Sequence, residues 1–411
     1  MQNKIMLFIV IQLISLFGTH LSDFALGLYL YEKSGSLYLY SYFSMFIILP
    51  EMLLSPIIGH YIDKFNKKQM ILIGHAGAGL ASISILLLLQ NGYENIYGYL
   101  GLIILSSLFN ALVFASFHVL IGDEVDKEYM NKAVSLIQLG FGVVMIISPS
   151  VGAYLLDNQG IEAVFYIDIS TFCLALLVIS SMSFFKNTKH KENEELHFIE
   201  GLKESYQYLK RDRLLWLSLI LFGFLNFSMA QVTVLITPIV LSIATKSTLG
   251  VVMSIAGVGM LLGSTLLFFI KIKNYLYWIN LFAILQALIF VLSIFNIGVV
   301  TIAIGAFLFM FFSSLVGVLN YTYWQKRVEQ KIKGRIFGFR RSIIMFSIML
   351  GYMASAPMSH LMQLLLDSFP FLLEIIGTYL HPEIRLLFMF NAFFIVIIVL
   401  IIHRKQKIQV V

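Results

Sequence analysis

Three ionisable side chains stand inside otherwise apolar segments near the start of the chain: His20, Asp23 and Glu51. A charge without water or a partner is costly, so a carboxyl group in such a segment is suited to taking up and releasing a proton. His20 precedes Asp23 by three residues, one helical turn, and could share that proton. We therefore interpret all three as candidate proton sites. A static pair of His20 and Asp23, or an Asp23 shallow enough to touch water, stays open.

Uncharged polar side chains recur at helical spacing in four of the apolar segments. Gln12, Ser15 and Thr19, for example, fall on one helix face with Asp23. For any single Ser or Thr, a bond to its own helix backbone is the simpler interpretation, but four polar faces together predict an internal cavity. Amides are costly in hydrocarbon unless they are partnered, and aromatic rings offer stacking surface. The candidate cavity residues are Gln12, Ser15, Thr19, Asn110, Phe114, Asn226, Gln231, Thr233, Asn320 and Trp324.

The elements that position these residues must be membrane-spanning helices. Of the 411 residues, 59% are hydrophobic and 12% charged, which is too apolar for a soluble globular domain. A helix needs about 20 apolar residues to cross about 30 Å of hydrocarbon, and the segments do not show the alternation of barrel strands. We count twelve spans, at residues 5–31, 37–58, 69–89, 97–120, 132–156, 162–185, 214–243, 248–270, 275–296, 298–324, 336–366 and 385–403.

The placement of the basic residues supports this topology. With both termini in the cytoplasm, all but three of the 28 Lys and Arg residues fall on the cytoplasmic side, the exceptions being Lys33, Lys246 and Arg385. We therefore expect a multi-pass protein of the cell membrane with both termini inside. Nucleic-acid binding is a poor interpretation of the basic balance, because the charges follow the topology.

The long polar interval predicts three parts: a six-helix bundle at 1–185, a cytoplasmic linker at 186–213 and a second six-helix bundle at 214–411. Apolar residues at helical spacing in the linker predict an amphipathic helix on the membrane surface, or equally a solvated linker helix. GFGVVMIISPSVGAYLLD and IMLGYMASAPMSHLMQLLLD share small residues, a mid-helix proline and a late acid. Such internal duplication is typical of transporters.

The short charged loop in SPIIGHYIDKFNKKQMILIG resembles the signature loop of the major facilitator superfamily, with Asn66 where that family usually has glycine. The matching residues are Gly59, Asp63, Lys64, Lys67 and Lys68. The resemblance implies an all-α membrane protein with twelve transmembrane helices in two pseudo-symmetric six-helix bundles. It also implies that Asp63 meets the inner end of the eleventh helix, near Arg335, as a conformational latch.

Longer stretches, including LISLFGTHLSDFALGLYLYEKSGS and VEQKIKGRIFGFRRS, resemble the branch of macrolide-efflux and enterobactin-exporter type permeases. That branch implies a bacterial protein that exports substrate on the proton gradient. Gly142, Pro149 and Gly152 resemble the superfamily's antiporter motif, although Ser148 stands where that motif has glycine. We expect no cofactor and no metal site, with the proton gradient as the energy source.

The expected function is proton-coupled efflux of amphipathic small molecules, such as antibiotics, siderophores or other secondary metabolites, by alternating access. Its partners would be a small-molecule substrate, protons and the lipid bilayer, without nucleic acid. One chain carries both halves, so a monomer should suffice. An uptake symporter on the same scaffold is the alternative. A membrane enzyme or receptor-like protein is another, although no convincing catalytic pair supports it.

Overall fold

The computed structural model describes residues 2–61, 66–182, 198–267, 269–270, 272–293, 295, 298–330 and 332–410. Within these ranges the regular structure is helical, and no strand occurs. A helix bonds its backbone N–H and C=O groups within its own segment, which is what a chain in hydrocarbon requires. The predicted all-α membrane fold is confirmed.

The chain forms two compact units. The first comprises Met1–Asn193 with Lys246–Ser254, and the second comprises Glu194–Thr245 with Ile255–Val411. The predicted division after residues 185 and 213 stays a prediction. The helices of the N-terminal segment are α1 (Gln2–Ser34), α2 (Leu37–Tyr61), α3 (Lys67–Gln90), α4 (Ile96–Glu124), α5 (Lys127–Asn158) and α6 (Ile161–Ser181).

The rest of the described chain adds eight helices. They are α7 (Phe198–Arg211), α8 (Arg213–Leu241), α9 (Lys246–Leu266), α10 (Tyr275–Leu292), α11 (Val299–Arg327), α12 (Lys333–Ser368), α13 (Phe371–Ile376) and α14 (Pro382–Val410). Helix α7 covers most of the segment where the sequence predicts an amphipathic helix. On it, Leu209 is buried in a cluster with Leu215, Leu219 and Trp324.

Eleven helices of the described chain are long and apolar enough to cross a membrane. The predicted number was twelve. The difference lies in α2, whose apolar stretch over the described residues, Leu37–Leu53, is shorter than the other spans. Helix α7 has 14 residues and α13 only six, and neither is counted as a span.

Polar side chains begin several of the helices at the edges of the apolar segments. The side chain of Asn66 accepts a hydrogen bond from the backbone of Gln69 at the start of α3. Asp212 likewise accepts from the backbone N–H groups of Leu214 and Leu215 at the start of α8. These caps satisfy N–H groups that have no partner within the helix, and so fix where each helix begins.

Glycine allows α9 and α11 to approach each other closely. A Cβ atom added to Gly263 would lie 2.3 Å from the carbonyl oxygen of Phe311. No side chain fits at that distance, so Gly263 marks a backbone contact between the two helices. Its glycine-rich stretch therefore belongs to helix packing.

Candidate functional site

Asp168 on α6 is the most deeply buried acid among the described residues of the first unit, with 1% of its surface exposed. Its Oδ2 atom accepts hydrogen bonds from Ser82 Oγ at 2.7 Å and Ser22 Oγ at 3.0 Å. Its Oδ1 atom is buried and has no hydrogen-bond partner among the described residues. One carboxyl group thus joins α1, α3 and α6 while leaving one oxygen unsatisfied.

The hydrogen of Ser22 has two competing acceptors. Ser22 Oγ lies 3.0 Å from Asp168 Oδ2 and also 3.0 Å from the carbonyl oxygen of Thr19. A hydroxyl group carries one hydrogen, so it serves one acceptor at a time. If Asp168 is charged, Ser22 donates to it; if Asp168 is protonated on Oδ2, the carboxyl donates to Ser22 and Ser22 donates to Thr19. The same positions therefore accommodate both protonation states.

Gly18 brings α1 against this carboxyl group. A Cβ atom on Gly18 would lie 2.2 Å from Thr171 Oγ1 and 3.0 Å from Asp168 Oδ1. Thr171 itself donates to the backbone carbonyl of Asp168 at 2.7 Å. Any larger residue at position 18 would push α1 away from α6, so the site depends on this glycine.

The three predicted proton sites lie in the same unit. Asp23 is half-buried, directly after Ser22, and within electrostatic range of Asp168. His20 is also half-buried, and neither His20 nor Asp23 makes a hydrogen bond or ion pair within the described part of the chain. Glu51 on α2 is half-buried. Asp23 thus interacts electrostatically with a second acid, Asp168, while the role of all three stays a prediction.

Gln12 and Ser15 meet a buried histidine of α3. His75, 2% exposed, lies 2.6 Å from Gln12 Oε1 through Nε2 and 3.4 Å from Ser15 Oγ through Nδ1. The carbonyl oxygen of Gln12 requires a hydrogen on Nε2, and in a neutral imidazole Nδ1 then accepts from Ser15. This pattern fits a neutral imidazole, and it ties α1 to α3 next to the Phe172 ring.

The other cavity candidates of this unit make local contacts. Thr19 donates to the backbone of Ser15 at 3.2 Å. Asn110 is half-buried and donates to Ser106 Oγ at 3.3 Å. Phe114 packs its ring 4.2 Å from that of His118. Thr19 thus bonds to its own helix, as the simpler interpretation of a single Thr supposes.

Two lysines of the signature loop secure helix ends. Lys67 pairs with Asp123 near the end of α4 at 2.5 Å. Lys68 donates to the carbonyl oxygens of Ser180 and Met182, where a cation suits the negative end of α6. Gly59 lies near the end of α2. The proposed latch aspartate and its neighbour, Asp63 and Lys64, lie outside the described residues.

Arg335, the expected partner of the latch, lies in the second unit. Its guanidinium donates to Glu204 of α7, in the same unit. This contact attaches α7 to the first turn of α12.

In the predicted antiporter motif, Pro149 lies within α5 and Gly142 lies two turns earlier on the same helix. A Cβ atom on Gly152 would lie 3.1 Å from the Phe24 ring and 3.3 Å from the backbone oxygen of Leu21. Gly152 therefore sits against α1 beside the acid-bearing turn.

In the second unit, Gln231 belongs to a buried polar group. Asn391 of α14 donates to Gln231 Oε1 at 2.8 Å, and the Gln231 amide nitrogen lies 3.2 Å from Met358 Sδ on α12. The side-chain oxygen of Asn391 has no partner among the described residues. By contrast, Asn226 and Thr233 each donate to their own helix, at 2.8 and 3.0 Å.

Asn320 and Trp324 surround an arginine of α12. Asn320 is fully buried and accepts from Arg340 Nη2 at 2.9 Å. Trp324, also fully buried, donates from Nε1 to Ser218 Oγ at 2.9 Å. Arg340 is 7% exposed and lies over four aromatic rings.

Sequence reasoning did not select Asp168, His75, Asn391 or Arg340 as functional. A deep position in an apolar segment was the available signal for the first three. Arg340 closely follows other basic residues, and the sequence alone therefore places it with the basic residues of the cytoplasmic side. Within the described part of the chain, no group of three or more His, Cys, Asp or Glu side chains could hold a metal ion.

Comparison with known proteins agrees with this architecture. Among curated proteins, the chain is 25% identical to an uncharacterized MFS-type transporter, YfiS, of Bacillus subtilis over 362 residues, 85% of each chain. It is 23% identical to macrolide efflux protein A of Streptococcus pyogenes over 372 residues, covering 84% of this chain and 86% of the relative.

Solved structures share the fold at lower identity. The nucleoside transporter NupG gives a TM-score of 0.71 at 14% identity, covering 97% of this chain and 99% of that one. A bacterial homologue of the human lysosomal transporter Spinster gives 0.74 at 11% identity, covering 99% and 97%. The family model of the Major Facilitator Superfamily matches residues 8–352. With most of its length matched, the chain belongs to the Major Facilitator Superfamily of membrane transporters.

Proposed function

We propose that this transporter exports amphipathic small molecules from the cytoplasm in exchange for protons. Proton coupling is supported by the buried carboxyl group of Asp168. Its partner Ser22 can donate a hydrogen bond to the charged form and accept one from the protonated form. Asp23, within electrostatic range, supplies a second acid on the adjacent helix. Two acids that interact electrostatically disfavour a state in which both are charged, because like charges repel.

Alternating access would connect this acid pair to transport. A carboxyl group that opens to the outside takes up a proton, and one that opens to the cytoplasm releases it. The serine bonds can rearrange without moving the backbone, so the carboxyl group can be charged or protonated in the same position. Asp23, His20 and Glu51 are proposed to relay the proton or to hold it alternately with Asp168.

The direction of transport is supported by a relative. Macrolide efflux protein A is named as an efflux protein, and it aligns with 84% of this chain. The mild polarity of the predicted cavity residues favours amphipathic compounds over strongly charged nutrients. We infer a place in the cell membrane, both termini in the cytoplasm and a monomer as the working unit.

Inside-out membrane vesicles with an acidified lumen test this function. A proton-coupled exporter should accumulate a labelled amphipathic compound, from a panel that includes a macrolide, and lose the accumulation when an ionophore removes the gradient. Asp23→Asn and Glu51→Gln should each weaken it. An uptake symporter would instead expel the compound from these vesicles. Gradient-independent equilibration of every compound would refute proton coupling.

A further inference from the structure

Arg340 lies in the second unit with unused hydrogen-bond donors. Of its five guanidinium N–H groups, one donates to Asn320, and the Nε atom is buried without a partner. Arg340 forms no ion pair with any acid in the described part of the chain. A buried cation in a membrane protein is costly, so an unneutralised one needs an explanation.

Asn320 contributes a further hydrogen-bond donor without an acceptor. Its Oδ1 atom accepts from Arg340, but its Nδ2 amide is buried and has no partner among the described residues. Both side chains therefore present N–H groups, and neither meets a carboxylate. The group that is missing from this environment is a hydrogen-bond acceptor that carries negative charge.

Aromatic rings enclose the guanidinium from three helices. Its central carbon lies 5.1 Å from the ring of Phe222, 5.4 Å from Trp324, and 5.9 Å from both Tyr321 and Phe337. Such contacts offset part of the cost of burial without using the N–H groups. They also provide flat apolar walls beside the charge.

The walls are held in place. Trp324 is fixed by its bond to Ser218, and the ring of Phe337 meets those of Tyr321 and Trp324 edge-on, at 5.3 and 6.3 Å. Tyr321 is 49% exposed, so one wall of the enclosure lies at the surface of the protein. An aromatic enclosure that reaches the protein surface and holds one cation suits a ligand with one charge and an apolar body.

We propose that Arg340 and Asn320 bind the carboxylate, or a similar single anionic group, of an amphipathic organic acid, with the four rings contacting its apolar body. A carboxylate matches the planar fork of arginine and would satisfy the unused N–H groups. This inference rests on the proposed function, since it names the class of substrate that the exporter carries. With a single cation, the site favours monoanions over polyanions.

Matched ligands test the charge preference. The probes are 4-phenylbutyrate, its neutral amide and 4-phenylbutylamine, which share one apolar body. Binding is measured by equilibrium dialysis in phosphatidylcholine nanodiscs and by fluorescence of Trp324 after Trp216→Phe and Trp278→Phe. The carboxylate should bind at least about tenfold tighter than the amide, since a hydrogen bond to a charged group contributes that much, and tighter still than the amine.

Three variants test whether the preference for the carboxylate depends on Arg340 and Asn320. Arg340→Gln should abolish it, whereas Arg341→Gln, at the exposed neighbour, should retain it. Asn320→Asp places a carboxylate inside the enclosure, so this variant should fold at least as stably as the parent and no longer prefer the anion. Because it supplies the missing acceptor, it remains informative even if Arg340→Gln does not fold.

Several results would overturn the proposal: no binding of the carboxylate, equal binding of carboxylate and amide, or a preference that survives in Asn320→Asp. Displacement of 4-phenylbutyrate by phosphatidylglycerol in the nanodiscs would mean that a lipid headgroup occupies the site, which also contradicts a substrate role. If vesicles export other compounds but binding shows no anion preference, the exporter proposal stands and this one fails. If the preference is present but no compound is transported, the anion site stands and the exporter proposal fails.

Discussion

Replacing Asp168 with asparagine separates a proton-coupling role from a structural one. The asparagine oxygen can still accept from Ser22 and Ser82, so the two bonds to Oδ2 are retained in kind. The amide NH2 takes the place of Oδ1, which is buried without a partner. An unsatisfied buried donor costs about 1–3 kcal/mol, so we expect Asp168→Asn to fold with a lower melting temperature.

Asp168→Asn should reduce gradient-driven accumulation of substrate far more than it reduces the stability of the fold. A gradient of one pH unit supplies about 1.4 kcal/mol per proton, which supports up to about tenfold accumulation of substrate for one-to-one exchange. Asparagine cannot take up the proton. Accumulation in inside-out vesicles should therefore fall to about the external concentration, while exchange of labelled for unlabelled substrate continues.

The assay compares Asp168→Asn with Glu162→Gln, a matched loss of an exposed acid at the start of the same helix. Both variants are reconstituted at equal amounts of folded protein, and gradient-driven accumulation is measured beside exchange. The control should accumulate substrate like the parent. Tenfold accumulation by Asp168→Asn would refute the reasoning, because coupling would then not need this carboxyl group.

Three further predictions address the loop and the helix packing. Asp63→Asn should insert and fold normally yet slow transport; unchanged turnover per folded molecule would exclude the latch. Lys68→Gln removes a cation from the end of α6, so it should lower stability in thermal melts by about 0.3–1 kcal/mol, more than Lys203→Gln at an exposed position away from the last turn of α7. Gly263→Ala should reduce the yield of folded protein, whereas Gly101→Ala, with open space around it, should not; equal yields would contradict the packing argument.

Helix positions could be predicted from the sequence because hydropathy measures what the hydrocarbon demands. The predicted span at 97–120 corresponds to α4 at Ile96–Glu124, and that at 336–366 to α12 at Lys333–Ser368. These two helices run past the predicted ends, since hydrogen bonding continues into polar residues that hydropathy counts against a span. The short α13 was not predicted, as six residues leave no periodic signal.

The partners of buried polar residues could not be predicted in the same way. Ser22 and Ser82 are 146 and 86 residues from Asp168, and only the packing of α1, α3 and α6 brings them together. Helical periodicity places a residue on a face but does not say what the face meets. The sequence therefore predicts Asp23 as a proton site. The acid that interacts with it, Asp168, is evident only from the structure.

Each unit contains a buried polar site with unsatisfied atoms, and the two sites lack opposite hydrogen-bonding groups. In the first unit, Asp168 has an acceptor oxygen without a donor, while in the second, Arg340 Nε and Asn320 Nδ2 are donors without an acceptor. A protein that spans hydrocarbon keeps few such groups, because each one costs stability when it is unpaired. An excess acceptor is suited to binding a proton, and excess donors are suited to binding an anion. A proton at Asp168 and an organic anion at Arg340 would then each satisfy one of these two sites, as the proposed exchange of protons for an organic acid requires.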